Sequence, residues 1–164
     1  MFHALAPSQC DCIIGRYRGD PSCPELQNLI VGVGSDPRVG VAPAEVESEI
    51  AAFESRCDAL MKAYAYWLST KGSAQSAGAR ARKFAKVLAP LAELFLRIHP
   101  YMDGNGHTAR LLLYVLMSRA GFSSATWSVD GKKEYSEALS LFRDGKVGKL
   151  EEFFATVLLG GACA

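Results

Sequence analysis

Residues 99–110, reading HPYMDGNGHTAR, constrain this chain more than any other stretch. An apolar segment ends at Ile98, meets a His-Pro pair, crosses Asp-Gly-Asn-Gly and resumes as the apolar run TARLLLYVLMSRA. Pro100 has no N–H and its ring disfavours a helical His99, so the first helix stops near Ile98. The two glycines admit backbone conformations that turn successive N–H groups around a concavity. A second helix follows, with Thr108 in its first turn and its unpaired N–H groups facing the same space. An imidazole, a carboxylate, an amide, backbone donors and an arginine thus gather around one point, a set suited to a polyphosphate carrying a divalent metal.

This stretch resembles the signature of the Fic (filamentation induced by cAMP) domain family, which reads His-Pro-Phe, any residue, Asp or Glu, Gly-Asn-Gly-Arg, two residues, Arg. Two fixed positions differ: Tyr101 stands for Phe, and His107 for the first arginine. After the signature, Arg119-Ala120-Gly121-Phe122, Tyr135 with Ala138-Leu139, and Gly145 with Leu150 and Phe153 look like the family's usual continuation. Before it, Gly15-Arg16-Tyr17-Arg18 and a hairpin ahead of Pro43 resemble the family's flap region. The resemblance implies an all-α, Fic-like helical bundle with a small β-hairpin flap near residues 28–42. A single domain over residues 15–159 is expected, with an irregular arm at 1–14 and a frayed tail at 160–164.

Each signature residue has a chemical reading and a plainer one. His99 is the candidate general base, since a neutral imidazole can take a hydroxyl proton near pH 7; alone, it would read as a helix cap. The resemblance makes Asp103 a magnesium ligand, and one carboxylate suffices for an ion that keeps waters and bridges phosphate oxygens. Its plainer role is turn initiation before Gly104, compatible with the first. Gly104, Asn105 and Gly106 would form an anion-holding backbone, with the Asn105 amide donating to a phosphate oxygen. The alternative is a turn that merely connects two helices.

Arg110 offers fixed charge and forked donors to a terminal phosphate, or a bidentate pair to a carboxylate elsewhere. His107 is the departure that matters, because a histidine is shorter than the family's phosphate-holding arginine and has no fork. Tyr101 can plug the same core site as Phe if its hydroxyl finds a partner. Tyr135 is by analogy a neighbour of the nucleotide base, with an ordinary core aromatic as the equal alternative.

With 164 residues, 49% of them apolar, the chain can build one sizeable core. A formal charge of +1 supplies no field for a polyanion, so nucleic acid is not an expected partner. No run of about eighteen apolar residues is present to span a membrane. The first residues lack the basic start and apolar core of a signal peptide, so synthesis in the cytoplasm is expected, with delivery by a secretion machine left open. The cysteines at 10, 12, 23, 57 and 163 are odd in number and read as free thiols of a reducing compartment. A zinc set from His3, Cys10, Cys12 and Cys23 fits no usual spacing, and Cys57 falls on an apolar helical stripe as a buried residue.

Along the chain, NLIVGVG and RVGVA flank a Gly-Ser-Asp-Pro turn and predict two short strands that rest on helices. Their residues 29–33 would form a platform for a target peptide or a cover over the bundle. Val46, Ile50, Phe53, Cys57, Leu60, Met61, Tyr64, Trp67 and Leu68 form the stripe of a long amphipathic helix. Residues 69–78 read as a linker, and 79–98 as a helix that Pro90 bends or splits. The helix near 108–119 is apolar nearly all round and predicts the buried centre of a bundle, ended by Gly121. Helices near 133–142 and 149–159 follow, separated by Asp144-Gly145.

The resemblance implies Mg²⁺-dependent transfer of AMP from ATP to a Tyr, Thr or Ser hydroxyl of a target protein. A lysine in place of Gly106 marks the family's phosphate-transferring branch, so Gly106 favours nucleotidyl transfer. A catalytically weakened nucleotide- or protein-binding module, or a transferase using another nucleotide, is the alternative that His107 raises. The family's inhibitory Ser/Thr-xxx-Glu-Gly/Asn pattern is nowhere in these 164 residues, which leaves a separate inhibitory protein, an unrestrained enzyme or a regulatory segment beyond this sequence. Dimerisation, common in the family, makes a homodimer a further expectation.

Overall fold

The computed structural model describes residues 11–32, 36, 38–122 and 133–160. Its helices are α1 (Pro24–Gln27), α2 (Val46–Thr70), α3 (Ala77–Ile98), α4 (Asn105–Arg119), α5 (Lys133–Arg143) and α6 (Gly148–Leu158). Single 3-10 turns at Asp11–Ile13, Pro43–Glu45 and Gly72–Ala74 join them. Among the described residues there is no extended strand, so the all-α reading holds. No helix there is long and apolar enough to cross a membrane.

The helix boundaries follow from local chemistry. Pro43 opens the turn that leads into α2, where its missing N–H costs nothing. Pro90 lies inside α3 without splitting it. Helices α4 and α5 both end on a left-handed glycine: Phe122 N donates to Met117 O (3.1 Å) beyond Gly121, and Lys146 N to Leu141 O (2.9 Å) beyond Gly145. The expected linker is short, because Gly72 is buried against the Trp67 ring.

Two compact units are built from this chain, Met1–Ser55 with Leu94–Ala109, and Arg56–Glu93 with Arg110–Ala164. In the first, Leu26, Val46, Ile50, Phe53, Phe95 and Ile98 are buried, and the Phe53 and Phe95 rings lie 5.6 Å apart. In the second, Phe84 is fully buried between Tyr64 (4.6 Å) and Phe122 (5.4 Å). Tyr135, Phe153 and Phe154 form another aromatic cluster in that unit. Nearby chemistry includes a largely buried ion pair, Arg143 Nε to Glu93 Oε1 at 3.4 Å.

Several expectations need correction. The hairpin flap does not form among the described residues, although 33–35 and 37 lie outside them. The carbonyls of Leu29 and Val41 accept from the Arg18 guanidinium, and Gly40 N donates to Arg97 O at 2.8 Å. Backbone groups that a ladder would have used are therefore bound to a side chain and to the end of α3. Ile30 is 82% exposed, so this segment does not cover a core with that residue.

Helix α4 is not buried all round. Ala109, Leu113, Leu116 and Met117 make its buried stripe, while Leu111, Tyr114 and Val115 are exposed. Apolar composition on every face cannot bury a helix that has neighbours along only one stripe. Cys12 and Cys23 are joined in a disulfide with their Cα atoms 5.6 Å apart, so five free thiols is wrong. Cys57 is half-buried rather than buried. His3, Cys10, Cys163 and the segment 123–132 lie outside the described residues.

Candidate active site

The site is built where α3 stops. Pro100 keeps His99 out of the helix, and His99 adopts φ +53°, the one non-glycine residue with positive φ among the described residues. Its N–H still closes the last turn of α3 on Phe95 O at 3.0 Å. The histidine thus occupies the left-handed position that glycine usually fills after a helix. Such a conformation costs on the order of 1–2 kcal/mol for a residue with a Cβ, so surrounding bonds must hold it. Nδ1 of the ring is buried.

After Pro100 the chain turns through Tyr101, Met102 and Asp103. Asp103 is exposed, and its Oδ1 accepts from Gly104 N at 2.6 Å, the turn-initiating contact expected of it. Gly104 has φ +77°, and nothing lies within 4 Å of where a Cβ would be. Its glycine is required by the backbone alone. Helix α4 then begins at Asn105, three residues earlier than the sequence suggested. Gly104 O accepts from both Thr108 N (2.9 Å) and Thr108 Oγ1 (3.1 Å), which starts the helix.

That earlier start changes where the expected residues sit. Gly106 and His107 lie in the first turn of α4 rather than in a loop, and Arg110 lies in its second turn. Asn105 is buried, its Oδ1 accepting from Tyr101 N at 2.9 Å and its Nδ2 donating to Tyr101 O at 2.8 Å. Its amide braces the turn. His107 is exposed, whereas Gly106 and Arg110 are half-buried.

Tyr135 belongs to the second unit, on α5. Its hydroxyl is buried and has no hydrogen-bond partner among the described residues. Burial pushes the phenol up to about 12, against the pull of the Arg110 and Arg143 charges. Tyr101 is also pushed up to about 12, first by burial and then by the Tyr17 phenol, whose ring is 5.4 Å away.

One residue important to this geometry has no counterpart in the sequence reading. Arg18, 1% exposed, sends Nε to His99 O (2.7 Å) and Nη2 to Ile98 O (3.0 Å), while its backbone N donates to Pro100 O (2.8 Å). Three consecutive carbonyls around the candidate base are therefore held by one side chain and its own peptide. The Gly15-Arg16-Tyr17-Arg18 segment marked the place without indicating the contact. Burial pulls the Arg18 guanidinium below its ordinary value.

The sequence that builds this helix end, turn and helix start lies within the reach of one family model. The Fic/DOC family model matches residues 34–117, just over half of the chain. The chain belongs to the Fic/DOC family. Among curated Fic proteins, "Protein adenylyltransferase Fic" of Drosophila grimshawi is 32% identical over 97 residues, which are 58% of this chain and 19% of that protein. "Protein adenylyltransferase fic-1" of Caenorhabditis elegans is 41% identical over 56 residues, 34% of this chain and 10% of that protein. The chain thus spans about a fifth or less of the length of these Fic relatives.

Proposed function

We propose that this protein transfers AMP from ATP to a hydroxyl side chain, Tyr, Thr or Ser, of a target protein. The observation that carries the reading is His99, strained at the end of α3 with the Asp103–Gly104 turn directly ahead of α4. The names of the Fic relatives support it further.

With Nδ1 buried, Nε2 is the ring nitrogen assigned to take the proton from the incoming hydroxyl. The hydroxyl oxygen attacks the α-phosphorus, the bond from that phosphorus to the bridging oxygen breaks, and pyrophosphate leaves. In this reading the N–H groups opening α4 would receive phosphate oxygens, and Arg110, from the same helix, would offer its forked donors to a terminal phosphate. Asp103 is exposed with one oxygen already engaged, which suits magnesium, an ion that takes one or two carboxylates and keeps waters. When bound there, such an ion would neutralise charge on the polyphosphate. Fixed donors and positioning account for most of the rate.

A second reading follows from His107, exposed in the first turn of α4 where the family signature has arginine. A single imidazole replaces a fork, and the protein would then bind nucleotide without efficient transfer. Incubation with α-labelled ATP, Mg²⁺ and a lysate separates the readings. Transfer predicts a labelled protein band that His99→Ala abolishes. Nucleotide binding without label, with label gained in His107→Arg, selects the weakened module, and silence in both wild type and His107→Arg together with no ATP binding overturns both.

A further inference from the structure

We infer that Arg18 is the positioning residue of His99, fixing the left-handed turn that presents the imidazole and so governing turnover rather than nucleotide affinity. This rests on reading His99 as the base. A guanidinium carries five N–H donors in a rigid plane. Here it makes four bonds: Nε to His99 O, Nη2 to Ile98 O and Val41 O, and Nη1 to Leu29 O, all between 2.7 and 3.0 Å. Every acceptor is a main-chain carbonyl, so the cation is spent on backbone shape and not on an ion pair.

Two of those carbonyls, Ile98 and His99, belong to the end of α3, where helix oxygens lack partners and a positive charge is favoured. The orientation of the His99 carbonyl fixes the peptide plane between His99 and Pro100, and the Arg18 N–H fixes the next one through Pro100 O. With both planes set, His99 is held at φ +53° and its Cα–Cβ direction is determined. Lysine keeps the charge but cannot reach four divergent carbonyls from one point. Tyr17, its ring tilted against that of Tyr101 at 5.4 Å, packs on the following residue from the same short segment.

The test compares wild type with Arg18→Lys and Arg18→Ala. With α-labelled ATP, both folded variants should lose at least tenfold in kcat while KM for ATP changes less than about threefold. Added guanidinium ion at low millimolar concentration should restore Arg18→Ala severalfold and leave wild type unaffected. A readout independent of transfer is the ring signal of His99 in a carbon-edited NMR spectrum. It should shift or broaden in Arg18→Lys while the Met117 methyl, in the other unit, stays in place. Equal kcat, an unmoved His99 signal, or a loss that follows the unfolded fraction alone would overturn the proposal. Wild type itself supplies a check that does not depend on variant folding: the Arg18 Nε–H should exchange at least a hundredfold more slowly than that of exposed Arg56, and equal rates overturn it. If wild type transfers nothing yet the ring signal responds, the activity fails and the positioning stands.

Discussion

Asn105 and Tyr101 close a reciprocal pair, the Asn105 Oδ1 accepting from Tyr101 N at 2.9 Å and its Nδ2 donating to Tyr101 O at 2.8 Å. The amide is 2% exposed, so water cannot replace either bond. Asn105→Asp leaves the Tyr101 carbonyl facing a carboxylate, with an acceptor where a donor was. A loss of about 1–3 kcal/mol in urea unfolding is expected. An unchanged midpoint would show that the turn is held without this pair.

Gly104 offers a cleaner backbone test, because its φ is +77° and no atom occupies the space a Cβ would take. Gly104→Ala should lower stability by about 1 kcal/mol through conformation alone. Gly104→Asn, which tolerates the left-handed region better, should recover part of that loss. Equal stability of the alanine variant and wild type contradicts a conformational requirement.

The Cys12–Cys23 disulfide closes a loop with a sequence separation of 11, and Arg18 lies within it. On chain-entropy grounds its removal costs about 2–3 kcal/mol. A phosphine reductant should lower the unfolding midpoint of wild type and leave the Cys12→Ser/Cys23→Ser variant where it is. A wild-type midpoint indifferent to reduction removes the bridge from the folded state.

Tyr135 predicts an alkaline instability. Its folded pKa is about 12 against an ordinary value of 10.0, so above the ordinary value the unfolded chain loses the phenol proton first. The folded state then holds more protons, and stability falls as pH rises through that window, by about 2 kcal/mol at the upper end. Tyr135→Phe should lack this component. It should also match or exceed wild-type stability at neutral pH, since it removes a buried hydroxyl with no hydrogen-bond partner among the described residues. Parallel pH profiles for the two proteins contradict the assignment.

The sequence was informative where one residue decides local conformation. Pro100 ends α3 at Ile98, and Gly121 and Gly145 end α4 and α5, all from φ restriction or freedom acting within a few residues. Asn105-Gly106 misled, because a Gly-Asn-Gly run reads as loop while Gly104 O, capped by Thr108, already begins the helix. The exposed face of α4 was hidden by its composition, since burial depends on neighbours and not on the helix itself. Arg18 was beyond reach for a similar reason: His99 lies 81 residues away, and no periodicity reports a guanidinium on distant carbonyls. The signature residues themselves were legible because they stand consecutively in the chain.

The central claim is nucleotidyl transfer driven by His99, and matched incubations with α-labelled and γ-labelled ATP, Mg²⁺ and lysate test it most directly, with released pyrophosphate counted in the same samples. The account predicts label on protein from the α position alone, one pyrophosphate for each label gained, and loss of both in His99→Ala. Label from the γ position, or α label that survives His99→Ala, would contradict it.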